Sequence, residues 1–268
     1  MKRNIYILTA ALMAFTSCEV VNTRVRDEKT PVIRAFIMPQ SDTLSVSVRF
    51  MIVYSASEDD TVQLPVNNIP VYLIHGTDSL LMPENPDQPG SYILHSGSMS
   101  LQPKDTIGLY GVYEQTIFRS STVIPDGVQS LAISATSLYY TVSDPRSMLS
   151  AGELTISWDN SASDFYYVIV ENTEDDPEPL NEMLADMPMM SFAYPSQADQ
   201  FAISMRNIRY FGKHRVVVYH VNPEFADLFD NGELTSNAIT QPPGNVENAM
   251  GIFTALTSDT VFFTVYKQ

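Results

Sequence analysis

Cys18 is the one cysteine in a chain of 268 residues, and its setting prescribes one kind of chemistry. Lys2 and Arg3 give a basic start, Ile5 to Phe15 an apolar run, and Thr16-Ser17 two small residues directly before the sulfur. A basic start, an apolar core of about 7–15 residues and small residues at the cut are the parts of a secretory signal. An ordinary signal ends at an A-x-A-like site. Here Phe15-Thr16-Ser17-Cys18 reads instead as a lipobox, with Phe15 where leucine is usual. The chemistry that requires a thiol there is thioether formation. The sulfur takes diacylglycerol, and the amine freed by cleavage can take a further acyl chain of the palmitate type. The apolar run is too short to span a bilayer, which takes about 20 residues. Each buried methylene contributes about 0.8 kcal/mol, so two or three long chains anchor a protein stably. The sequence thus predicts a signal peptide over residues 1–17 and lipidation of Cys18. An acylated Cys18 leaves no thiolate for catalysis or metal binding.

The other reactive residues do not converge on a reaction. No P-loop, G-x-G-x-x-G, H-E-x-x-H or G-x-S-x-G occurs. His214 and His220 share a face of one expected strand, but six residues of strand put them about 20 Å apart, too far to share a metal. The acidic runs Glu58-Asp59-Asp60 and Glu171 to Glu178 lack the alternating D-x-D-x-D-G order of a calcium loop and read as solvated loops. No catalytic, cofactor or metal residue is predicted, and an enzyme is the least favoured class. Loss of residues 1–17 leaves 13 Lys and Arg against 31 Asp and Glu, a formal charge of −18. That balance disfavours nucleic acid, whose phosphates attract cations, and disfavours lying flat on anionic lipid.

The elements that would carry these residues are strands. Residues 18–30 are polar and charged and form a tether of disordered composition. From Pro31 the apolar period becomes two: Val46, Val48 and Phe50 alternate with Ser45, Ser47 and Arg49. Similar runs follow at 32–37, 69–74, 92–94, 106–113 and 116–123, separated by turn-formers such as His75-Gly76-Thr77-Asp78. Short strands at such spacing suggest a sandwich. Pro125-Asp126-Gly127 marks a boundary. Beyond it Leu154, Ile156 and Trp158 alternate, then come a turn over 159–164 and strands at 165–170, 201–205 and 214–221. Trp158 falls among core positions. Residues 171–190 read as an acidic, Met- and Pro-rich insertion, 223–232 as a short helix, and 251–266 as a hairpin turning at Thr257–Thr260. The expected fold is all-β with two β-sandwich domains. An immunoglobulin-like or transthyretin-like sandwich spans 31–127, and a fibronectin type III-like one with a short helical insertion spans 128–268.

The whole of residues 18–268 resembles a family of Bacteroidetes lipoproteins known as domain-of-unknown-function family 4249. The resemblance rests on the order lipobox, sandwich, proline turn, second sandwich, and on a late segment of the form Asn-Ile-x-Gly-Gly-x-Gly-x-Phe. Here that segment reads Asn245-Val246-Glu247-Asn248-Ala249-Met250-Gly251-Ile252-Phe253. Asn245, Gly251 and Phe253 match. Asn248 replaces a glycine with the residue that visits left-handed backbone most readily after it, and Ala249 departs from the pattern. Residues 31–37 and 69–73 also look like family positions. The resemblance implies an outer-membrane lipoprotein, often expected near a TonB-dependent transporter, and no reaction.

One repeated tripeptide looks like the O-glycosylation signal of envelope proteins in these bacteria: Asp, then Ser or Thr, then an apolar residue. It would place sugar on Thr43, Thr61, Ser79, Thr106 and Thr260. The same pattern also arises where a turn aspartate precedes a β-branched residue that starts a strand. The expected function is therefore a non-enzymatic lipoprotein of the outer membrane that contacts a transporter. A carbohydrate-binding lipoprotein is the alternative, with Tyr139-Tyr140 or Tyr210-Phe211 as exposed rim aromatics; a fimbrial or adhesin-type subunit is a third. Only Glu19 is acidic directly after Cys18, so the sequence leaves open whether the protein faces the periplasm or the cell surface.

Overall fold

The computed structural model describes residues 31–52, 62–140, 153–181, 192–204, 207–229 and 244–268. Cys18, the tether and the acidic run 58–60 lie outside them. The described chain is all-β with one short helix. Its strands are β1 (Pro31–Ile37), β2 (Thr43–Ile52), β3 (Val62–Pro65), β4 (Val71–His75), β5 (Asp78–Leu81), β6 (Ser91–His95), β7 (Thr106–Tyr113) and β8 (Thr116–Val123). They continue as β9 (Gln129–Ile133), β10 (Ser137–Tyr140), β11 (Leu154–Asp159), β12 (Phe165–Asn172), β13 (Phe192–Ser196), β14 (Gln200–Ile203) and β15 (Gly212–Val221). Helix α1 (Pro223–Ala226) and β16 (Met250–Lys267) complete the chain.

Nine strands form one sheet in the order β13-β12-β15-β16-β1-β2-β3, with β10 added on β16 and β6 on β2. Two smaller sheets, β5-β4-β7-β8 and β14-β11-β9, provide the facing layers. The alternation that the sequence shows in β1 places Ile33, Ala35 and Ile37 inward, where they meet Leu44, Val46 and Val48 of β2 and Val71, Leu73, Ile107 and Leu109 of the four-stranded sheet. A second core gathers Tyr166, Val168 and Val170 of β12, Val216 and Val218 of β15, and Leu154, Ile156 and Trp158 of β11. Trp158 is thus a core residue, 6% exposed.

The expected hairpin at 251–266 is corrected by the structure: β16 runs for 18 residues without a turn. Residues 250–255 pair in parallel with β1, 256–265 pair antiparallel with β15, and 264–267 pair in parallel with β10. The polarity of Thr257-Ser258-Asp259-Thr260, which suggests a turn, has another cause. These residues lie between the two cores, where the inward face needs no apolar side chain. Phe253 and Ala255 enter the first core and Phe263 and Val265 the second. All four are odd-numbered, so one side of one strand serves both cores. In the gap, Asp126 O of the proline turn accepts hydrogen bonds from Thr257 Oγ1 at 2.7 Å and His220 Nδ1 at 2.8 Å.

A latch fixes the start of β16. The side-chain amide of Asn245 imitates a strand residue: Nδ2 donates to Phe253 O at 2.7 Å, and Phe253 N donates to Oδ1 at 2.9 Å. Asn248 adopts φ 57° and donates from Nδ2 to Ile117 O at 2.9 Å. Glu247 pairs with Arg119 through both backbone and side chain. This segment covers the outer edge of β8, which would otherwise present unpaired backbone groups. Val246, also in the first core, arrives with it.

Helix α1 begins with Pro223 in the first turn and passes into a 3-10 turn at Asp227–Phe229; residues 230–232 of the expected helix lie outside the described residues.

Candidate functional site

The two histidines that share a face of β15 both point into the second core, 3% and 6% exposed. Neither reaches the other. His214 stacks on Phe263 with ring centroids 4.9 Å apart. Its Nδ1 lies 3.0 Å from Gly212 O, and its Nε2 lies 3.3 Å from Asn172 Nδ2. The amide nitrogen of Asn172 can only donate, so Nε2 accepts and the proton sits on Nδ1: the ring is neutral. Burial pushes its pKa below the ordinary 6.5, against the weaker opposing pulls of the Gly212 carbonyl and Glu174. In the unfolded chain the ring titrates near its ordinary value, so below pH 6.5 the unfolded state holds more protons than the folded one. This contribution to stability is present above pH 6.5 and is lost as the pH falls through the lower folded value. Urea unfolding at pH 7.5 and 5.0 checks it. The midpoint of the native protein is expected to drop more on acidification than that of His214→Phe.

His220 has a different role. Its Nε2 lies 3.3 Å from Asp164 Oδ2, and Tyr166 stacks on it at 4.8 Å. Burial, then Asp164, Asp159 and Asp126, push the Tyr166 phenol up to about 12. These groups tie the proline turn to β15. Among the described residues no three His, Cys, Asp or Glu side chains gather as metal ligands. In the acidic run 171–178, Glu171 pairs with Arg215, Glu174 Oε1 accepts from Lys213 N, and Glu178 pairs with Lys267.

Of the tripeptide hydroxyls, Thr43, Ser79 and Thr106 are exposed, and Thr43, Asp78 and Thr106 are each the first residue of a strand. Asp105 Oδ2 accepts from Gln102 N at 2.8 Å, a turn bond of the kind that precedes a strand. Thr260 is half-buried in mid-strand, and Thr61 lies outside the described residues.

What the structure does gather is an aromatic surface on the outer side of the nine-stranded sheet. The even-numbered residues of β16 face away from both cores. At its start Ile252 and Leu256 are covered, with Phe225 of α1 in the same cluster. At its far end Phe262 and Tyr266 stand open, 59% and 47% exposed. Tyr139, 57% exposed, is the register partner of Tyr266 and stacks on it at 5.5 Å with 25° between rings. Between these aromatic positions, Thr264 is flanked by its register partners Lys213 and Ser137. Together with Thr136 and Thr173 they line an open cleft of about 550 Å³.

Of the rim aromatics expected from sequence, only Tyr139 is open. Tyr140 and Phe211 are buried in the second core and tilt together at 5.9 Å, and Tyr210 is half-buried. Adjacent strand residues face opposite ways, so Tyr139-Tyr140 could never both be exposed on one face. Phe262 and Tyr266 were not singled out in the sequence, although the alternation T-V-F-F-T-V-Y over 260–266 carries the signal.

A second apolar feature lies nearer the middle of the sheet. Phe36, Met38, Tyr167, Tyr219, Phe225 and Leu256 are among the residues lining a groove of about 210 Å³. Tyr167 meets Phe225 and Phe229 at 5.7 and 5.8 Å there. Burial raises the Tyr219 phenol above its ordinary range.

The chain matches no family model and no curated protein. Solved structures to which it is similar include that of the chicken CNTN1 FN1-FN3 domains, at 10% identity and a TM-score of 0.27, over 72% of this chain and 61% of that one. The chain thus spans less than two thirds of that structure's length.

Proposed function

We propose that this protein is a non-enzymatic, lipid-anchored binding module of the outer membrane, an accessory partner of a TonB-dependent transporter. The address comes from Cys18 and the signal before it. The transporter comes from the resemblance to the lipoprotein family. The observation that carries the binding role is the placing of an open aromatic face at the opposite end of β16 from the tether. The tether enters at Pro31, and its neighbour Val32 pairs with Met250. From Met250 to Tyr266 the strand rises about 50 Å at 3.2–3.4 Å per residue. Two sandwiches locked by one strand would therefore hold that face at a set height above the anchor. No helix among the described residues is long and apolar enough to cross a membrane.

The test is cross-linking of the native protein in intact membranes. Repeated recovery of a β-barrel transporter is expected; recovery of no outer-membrane protein would overturn the reading. In parallel, Cys18→Ala is expected to move the protein from the membrane to the soluble fraction with its fold intact, read by fractionation and circular dichroism.

A further inference from the structure

We infer that the Phe262–Tyr266–Tyr139 face is a binding site for an uncharged oligosaccharide. This deepens the binding-module reading and rests on it. The chemistry of the face selects the ligand. One side of a pyranose ring is a patch of C–H groups, which settles on the negative face of an aromatic ring. Its rim carries hydroxyls, which need donors and acceptors alongside. The cleft has both. Aromatic rings stand at positions 262 and 266, about 13 Å apart along the strand. Thr264, Ser137 and Lys213 form a polar row between them. A span of that length exceeds one sugar ring, so the ligand is a chain of linked rings lying along β16. The cleft of about 550 Å³ falls within the roughly 300–1,000 Å³ usual for small-ligand sites.

Charge decides against an acidic glycan. Arg215, two residues along β15 from Lys213, is already paired with Glu171. Glu174 lies against the Lys213 backbone. Lys213 Nζ has no carboxylate partner among the described residues, but a polyanion brought to it would meet Glu171 and Glu174 and a chain of formal charge −16. Lys213 serves as a hydrogen-bond donor to sugar hydroxyls. A protein partner fits less well. Interface anchors sit in desolvated pockets inside a ring of neutral contacts, whereas the rings here lie on an open face with polar groups between positions 262 and 266.

The experiment is calorimetric titration of the full-length lipidated protein in detergent with cellohexaose, maltohexaose, mannohexaose and, as the charged arm, hexagalacturonate. Binding of at least one neutral hexaose is expected, weakened about tenfold or more by Tyr266→Ala, in line with the loss of one stacking partner. A smaller loss is expected for Lys213→Gln. Both side chains are exposed, and an unchanged Trp158 fluorescence spectrum confirms that each variant is folded. Binding that survives Tyr266→Ala within twofold, binding of hexagalacturonate in preference to every neutral hexaose, or no binding of any of the four would each overturn the inference. A photo-cross-linker at position 266 supplies the remaining arm: capture of an outer-membrane protein through that position would assign the face to a protein. Should the sugars fail while membrane cross-linking through other positions recovers a transporter, the binding-module reading stands and only the glycan site falls.

Discussion

Replacing Gly251 with alanine is expected to destabilise the whole protein by about 4 kcal/mol or more, the range reached only by severe core or backbone lesions. Gly251 adopts φ 101°, a backbone conformation that side chains strain. The space is also occupied. A Cβ there would lie 2.0 Å from Ile33 O and 3.0 Å from Ile33 C and N. The obstacle is the backbone of β1, which cannot swing aside as a flexible side chain would. Relief requires parting β1 from β16 at the register pair Ile33–Gly251. That would also disturb the Asn245 latch, because Asn245 N donates to Gly251 O. Gly97→Ala is the control. A Cβ at Gly97 meets nothing within 4 Å, and a change within about 0.5 kcal/mol is expected there. Chemical unfolding of both variants measures the difference, and a Gly251→Ala loss as small as the control's would mean that β1 and β16 are not held as described.

Phe253→Ala is expected to cost about 3–5 kcal/mol, the usual price of deleting a fully buried phenylalanine. Its side chain is 0% exposed in the first core. The more informative outcome is where the damage is read. The chain has one tryptophan, and Trp158 sits in the second core. If β16 makes the two cores one cooperative unit, removing Phe253 shifts the Trp158 fluorescence transition as far as it shifts the far-ultraviolet dichroism. Coincident transitions are the mark of all-or-none unfolding. A Trp158 transition left in place while the dichroism splits would show two sandwiches that unfold separately.

The all-β character was legible because alternation survives wherever one face of a strand is buried. Thr106–Tyr113 and Thr116–Val123 form strands at the bounds their pattern suggests, and Leu154, Ile156 and Trp158 point inward together. What escaped was long-range pairing. No local pattern announces that residues 250–255 lie beside residues 32–37, more than two hundred positions earlier. The polar stretch at 257–260 misleads for the same reason: the Thr257 hydroxyl answers a carbonyl at Asp126, a partner that local sequence cannot display. The segment from Asn245 to Phe253 was marked in the sequence only by a family resemblance, through its spaced Asn, Gly and Phe. The structure supplies the physical reason for that spacing, a side-chain amide standing in for a strand and a glycine passed closely by backbone. The aromatic face was half legible. Tyr139 could be flagged because paired tyrosines are conspicuous, but its stacking partner Tyr266 becomes a neighbour only through the β10–β16 register.

The direction in which β1 runs beside β16 has a mechanical meaning. The strands are parallel over six register pairs, β1 begins at Pro31, and the open face lies at the far end of β16. Tension between an anchored lipid and a ligand held at Tyr266 would draw β1 toward its own start and β16 toward its own end. The hydrogen bonds between them would then be loaded side by side, in shear, and would have to give way together. Had β1 run the other way, the same pull would peel the pairs apart one at a time. The pairing of β1 with β16 is arranged like a lap joint, strongest along the strands' common axis.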